Sequence, residues 1–220
     1  MTSCGQAPRP EVVVVPYKPQ PKLLIMLDPG HGGKDLGTHD VCYQEKTLTL
    51  ETALLVESWL RQAGYPTLMT RRTDKEIHKL DRAALANQKQ PALFVSIHYN
   101  SAPSKEAEGI EVFYYDDEQN PTRTAASQLL AKTLYERVLN ETQAKSRGVK
   151  KGDYAVIRET TMPAVLIEGG FLTNKSELTR LQDPAYRARL ARAIAQGIDL
   201  YARSLFPEKS VSKTAKHNLK

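Results

Sequence analysis

Two histidines and two glutamates carry the chemistry that can be read from this chain. His31 stands in Asp28-Pro29-Gly30-His31-Gly32-Gly33-Lys34-Asp35-Leu36-Gly37, a loop whose glycines let the backbone approach a ligand closely. The loop lacks the spacing of either glycine-rich phosphate motif, and it places a histidine where a phosphate cradle needs backbone N–H groups. His98 follows in Ser96-Ile97-His98-Tyr99-Asn100. One histidine at a strand end is more often a hydrogen-bonded structural residue than a ligand, but two at one edge change that balance. Glu45 falls in the first turn of a helical pattern, where the helix dipole alone would favour a carboxylate. Brought together, His31, Glu45 and His98 match the donor set of catalytic zinc sites, which keep the fourth tetrahedral position for water. Cys42 is the rival third ligand, because thiolate also binds zinc. It ranks below Glu45 because no second cysteine lies near it.

Glu168 completes the set in Pro163-Ala164-Val165-Leu166-Ile167-Glu168-Gly169-Gly170-Phe171, an apolar run that delivers a carboxylate at its end. A buried glutamate without a partner is costly, so this position needs a reason. A salt bridge to an arginine is one. A general base that takes a proton from attacking water and returns it to a leaving amine is the other.

Positioning these residues takes alternating strands and helices. Strands are expected at 23 to 27, 65 to 69, 92 to 97, 109 to 115, 154 to 158 and 164 to 168. Helices are expected at 46 to 63, 79 to 89, 124 to 140, 175 to 181 and 184 to 205. Runs such as Leu23-Leu24-Ile25-Met26-Leu27, apolar at every position, are suited to burial on both faces. The expectation is an α/β fold, a single twisted and mostly parallel sheet of about six strands with helices on both faces. Ligands in such sheets sit beyond the carboxyl ends of the strands. Five of the thirteen prolines fall before Lys22, so residues 1–22 read as an extended linker with at most one short edge strand, Val12 to Val15. Residues 23–206 read as the catalytic domain and 207–220 as a lysine-rich tail.

Composition excludes several classes. Hydrophobic residues at 40% and charged residues at 25% are ordinary for a folded domain. The longest apolar run, Leu23 to Leu27, is far short of the ~20 residues a membrane-spanning helix needs. Of the net charge of +6, the first 22 residues hold +2 and the last 14 hold +3, so the body carries little excess. No concentrated basic face for nucleic acid is implied. Cys4 and Cys42 cannot make a disulfide framework, and residues 1–22 do not read as the charged and apolar regions expected of a secretory signal. Thr2-Ser3-Cys4-Gly5 resembles the end of a lipoprotein box and reads as coincidence.

Taken in order, the motifs of residues 23–205 resemble the zinc-dependent N-acetylmuramoyl-L-alanine amidases of bacterial cell walls, the type 3 amidase domain. The resemblance rests on Leu27 to Gly37, Glu45-Lys46, Thr70-Arg71 with Asp74, Leu80 with Arg82, and Ala86-Asn87. It continues through Phe94 to Ser101, Arg147-Gly148-Val149-Lys150, and Met162 to Asn174. It implies one zinc per chain on His31, Glu45 and His98, with Glu168 as the catalytic carboxylate. It also implies cleavage of the amide between N-acetylmuramic acid and L-alanine of peptidoglycan, in wall remodelling or cell separation, in the periplasm or cell envelope. Arg71, Arg82 and Asn100 are candidate substrate contacts. Tyr99 and Gly169 stand where relatives often have other residues, a departure expected to bear on substrate fit. Some cell-division relatives insert a helix after the fourth strand that covers the zinc until a partner displaces it. Here fewer than ten residues follow Tyr115 before the next helical pattern, so no obligatory activator is expected, and a monomer is. A zinc exopeptidase of related fold and a non-catalytic wall-binding module are the alternatives. A serine carboxypeptidase is excluded, because the sole SxxK match, Ser210-Val211-Ser212-Lys213, falls in the tail.

Overall fold

The computed structural model describes residues 23–40 and 43–206. The 1–22 linker, Val12 to Val15, Cys42 and the 207–220 tail lie outside the described residues. The order is β1 (Ile25–Pro29), β2 (His39–Asp40), β3 (Tyr43–Gln44), α1 (Glu45–Gln62), β4 (Thr67–Met69), α2 (Lys79–Lys89), β5 (Leu93–Asn100) and β6 (Ile110–Tyr114). Then come α3 (Pro121–Thr142), β7 (Ser146–Lys151), α4 (Ala155–Arg158), β8 (Ala164–Phe171), α5 (Lys175–Gln182) and α6 (Pro184–Ser204).

Six strands form one sheet in the order β4-β1-β5-β8-β6-β7, parallel except where β6 meets β8. The twofold alternation of strand side chains divides the core between the two faces. Leu93, Val95, Ile97 and Tyr99 of β5 join the larger cluster under α1, α3 and α6, while Phe94 joins the smaller one under α2 and α4. The fold is therefore the expected α/β sheet covered on both sides. No helix among the described residues is long and apolar enough to cross a membrane.

One expected strand is a helix. Residues 155 to 158 form the single turn α4, with Val156 and Ile157 buried in the smaller cluster. The sixth strand is instead β7, whose residues Ser-Arg-Gly-Val-Lys-Lys are exposed or half-buried. An edge strand needs few apolar side chains, so β7 left little hydrophobic signal. Helix α3 starts at Pro121, earlier than the expected Thr124, because Asn120 accepts a hydrogen bond from the Arg123 N–H and proline fits the first helical turn.

Candidate metal centre and catalytic carboxylate

The His31 loop leaves β1 under heavy restraint. His31 itself has φ 60, in the left-handed region. Arg82, buried, donates through Nη1 to the carbonyl of Pro29 (2.7 Å) and through Nη2 to that of His31 (2.7 Å). Arg71, also buried, donates to the carbonyls of Pro29, Gly30 and Lys46. Lys46 and Asp74 clip the far side, each bonding the backbone of Gly33 at 2.7 Å as well as one another. Arg71 and Arg82, expected to touch substrate, thus have their guanidinium groups committed to the loop that carries His31. Asp28 neutralises Arg82 from beneath and accepts from Thr70 and Ser96.

Glu45 enters from the short β2–β3 hairpin, where its N–H donates to the Thr38 carbonyl and α1 begins. Its Oε2 accepts from the Thr38 N–H at 2.9 Å, and its Oε1 accepts from the Tyr99 N–H at 3.1 Å. The same Oε1 lies 3.0 Å from His31 Nε2 and 3.1 Å from His98 Nδ1. Two glycines make this convergence possible. A Cβ on Gly30 would stand 2.2 Å from the His98 ring, and one on Gly37 would stand 2.6 Å from Glu45 Oε2. On the other side of the His31 ring, Nδ1 lies 2.9 Å from Asp35 Oδ2, which fixes the ring with Nε2 pointing inward.

Burial alone would raise the Glu45 carboxyl, but the hydrogen bonds and charge of His31 and His98 outweigh it and hold the group far below the ordinary carboxylate range. Burial would likewise lower His31, yet Glu45 and Asp35 raise it on balance. One ligand atom from each of His31, Glu45 and His98 lies within 4.8 Å of the others. Tetrahedral zinc with bonds near 2.0 Å separates its donors by about 3.3 Å, so the set fits that ion with small adjustments. Two imidazoles and one carboxylate also suit zinc chemically.

Glu168 is the register partner of His98 on the adjacent strand, so both side chains project from the same face. Its Oε2 is buried and has no hydrogen-bond partner. Burial first, then the negative charges of Glu45 and Glu111, push its carboxyl well above the ordinary value. No arginine pairs with it among the described residues, so the salt-bridge reading of this position finds no support. Asn100, the third expected substrate contact, donates to Glu111 and accepts from the Ser101 N–H.

Two positioning glutamates were missed by the sequence reading. Glu177 is buried and accepts through Oε2 from the N–H groups of Gly109 (2.9 Å) and Phe171 (2.7 Å), tying the end of β8 to the start of β6. Its signal was the spacing Asn174-x-x-Glu177 at a helix start. Glu111 is buried within the otherwise apolar Ile110 to Phe113, and that lone charge inside a strand was its signal.

The fold and this strand edge together define a hydrolase. More particularly, the chain belongs to the N-acetylmuramoyl-L-alanine amidase family, whose profile matches residues 25–200. It is 36% identical over 177 residues to the sporulation-specific N-acetylmuramoyl-L-alanine amidase of Bacillus subtilis, a match covering 80% of this chain and 66% of that one. It is 34% identical over 194 residues to the germination-specific amidase of the same organism, covering 81% and 79%. Among solved structures, the N-acetylmuramoyl-L-alanine amidase of Clostridium difficile 630 superposes with a TM-score of 0.78 at 34% identity, covering 83% of this chain and 97% of that one. The catalytic domain of CwlV from Paenibacillus polymyxa gives 0.76 at 36%, covering 82% and 98%.

Proposed function

We propose that this chain is a zinc-dependent hydrolase of the amide joining N-acetylmuramic acid to L-alanine in peptidoglycan, working in the cell envelope during wall remodelling or cell separation. Residues 23–206 are its catalytic domain, between a proline-rich linker and a lysine-rich tail. One observation carries the reading: the unpartnered buried oxygen of Glu168 beside the His31, Glu45 and His98 donor set. One zinc would be held by those three residues, and when bound it supplies Lewis-acid polarisation of the carbonyl and a lower pKa for water.

The chain's own groups supply the rest. Asp35 orients the His31 ring, and Glu45, anchored by the N–H groups of Thr38 and Tyr99, offers its remaining lone pairs inward. Glu168 takes the proton from the attacking water and returns it to the leaving amine. Its raised affinity for a proton makes it a better base than an exposed glutamate. The test is metal analysis of the purified chain together with mass spectrometry of digested peptidoglycan. Free stem peptides beginning with L-alanine support the proposal. Cleavage of simple dipeptides but not muropeptides would indicate the exopeptidase instead.

A further inference from the structure

Strand register places a row of charged groups across the sheet. His98 on β5 is opposite Glu168 on β8, Glu168 is opposite Glu111 on β6, and Glu111 is opposite Gly148 on β7. Beyond the catalytic carboxylate, therefore, the row ends in the segment Arg147-Gly148-Val149-Lys150, which the proposed chemistry leaves unused. Glu111 is enclosed, its side chain 5% exposed, while those of Arg147 and Lys150 above it are 36% and 40% exposed. Both cations bond the same oxygen of Glu111, and Asn100 donates to the other. Two positive charges against one negative leave an excess facing solvent.

The cations are also held in place. The Arg147 guanidinium lies 4.8 Å from the centre of the Phe171 ring, and the Lys150 ammonium 5.9 Å from that of Phe113. Arg147 uses Nε for Glu111, and its two terminal nitrogens have no hydrogen-bond partner among the described residues. A guanidinium fixed at one edge with its fork free is suited to bidentate capture of a carboxylate.

We propose that Arg147 and Lys150, held by Glu111, form a seat for a carboxylate of the stem peptide on the leaving side of the scissile amide. This rests on the amidase reading and extends it. Direction follows from proton transfer: Glu168 protonates the leaving amine, so the departing peptide lies on the Glu168 side of the histidines, toward β6 and β7. Distance agrees. Neighbouring strands are ~4.8 Å apart, so β7 lies about 10 Å from the Glu168 column, and long side chains reach back over part of that gap. An extended peptide covers ~3.5 Å per residue, which brings a carboxylate on the residue after L-alanine beneath the cations.

The test compares two soluble muramoyl peptides that differ only in a carboxylate or a carboxamide on the residue after L-alanine, using the zinc-loaded full chain. The carboxylate substrate should have the lower KM. Arg147→Gln and Lys150→Gln should each raise that KM about tenfold, the loss expected from one charge-assisted bond, and should move the carboxamide KM far less. Lys150→Arg should restore the preference. The free carboxylate peptide should inhibit competitively and lose potency as salt rises, whereas its amide should inhibit weakly. If Lys150→Gln does not fold, Arg147→Lys tests the fork alone and should raise the carboxylate KM. Equal KM for both substrates, or variants that lose kcat equally on both, would overturn the seat and leave Glu111 neutralisation as the sole role of these cations. Cleavage of neither substrate by the unaltered chain would overturn the amidase reading itself, and the seat with it.

Discussion

The ring of Tyr99 occupies the space that a side chain at position 169 would need: a Cβ on Gly169 would stand 2.8 Å from its Cε1. Tyr99 is buried in the larger cluster, with its hydroxyl hydrogen-bonded to Thr52. The two residues expected to tune substrate fit are thus one packing pair, on the opposite sheet face from His98 and Glu168. Gly169→Ala should destabilise the protein by about 1–3 kcal/mol through overpacking. Adding Tyr99→Ala should recover part of that loss, giving a coupling of roughly 0.5–3 kcal/mol in a double-mutant cycle of urea unfolding. Additive losses would show the contact to be without consequence.

Removing the Glu168 carboxylate should separate metal binding from hydrolysis. Glu168 lies outside the His31, Glu45 and His98 group, so Glu168→Gln should keep its zinc while turnover of a muropeptide falls roughly 10²-fold or more. The check is metal content beside initial rate on the same sample. Loss of zinc with the substitution would make Glu168 a ligand.

The metal donors carry the complementary prediction. His98→Ala leaves two donors of three, and zinc retention should drop sharply. Cys42→Ala should keep the ion, because the proposed third donor is Glu45. Retention by the first variant or loss by the second would reverse the ligand assignment.

Much of this site was legible because each member sits at a strand end or helix start that sequence periodicity marks. His31, Glu45, His98 and Glu168 converge where β1, α1, β5 and β8 meet. Arg71 and Arg82 were read as substrate contacts because a sequence shows an arginine's chemistry but not the carbonyls it will meet after folding. The polar strand β7 and the helical turn α4 exchanged identities for a related reason. An edge strand carries little apolar alternation, and a buried four-residue turn carries the same apolar pair as a short strand. Glu111 and Glu177 each left a local signal, but Arg147 and Gly109, partners that define their positioning roles, lie more than thirty residues away along the chain.

Acid should loosen the His31 loop through Asp28. Burial would raise that carboxyl, but the Arg82 charge and hydrogen bonds from Thr70, Arg82 and Ser96 outweigh it and lower it on balance. A carboxyl lowered in the folded state stabilises fully above its unfolded value of about 3.9, and the contribution disappears as pH falls through the folded value. Unfolding should therefore steepen below about pH 4. Asp28→Asn should flatten that limb while costing about 3–5 kcal/mol at neutral pH, because Arg82 is left buried and unpaired. Parallel acid limbs in the two proteins, followed by circular dichroism, would assign the acid sensitivity to other carboxylates.

Access to the His31, Glu45 and His98 group is the last expectation. Between Tyr114, the end of β6, and Pro121, the start of α3, run only six residues, 115 to 120. The segment is already engaged, since Asp117 pairs with Arg123 and the Thr124 hydroxyl while Asn120 caps α3. A covering helix would need about twelve residues or more to hold its own shape, so this connection cannot carry one. The purified chain should then cleave peptidoglycan without an added protein, at a rate unchanged when residues 1–22 or 207–220 are removed. Full-length protein that is inactive until a partner is added, or until either end is trimmed, would show that something other than this loop closes the site.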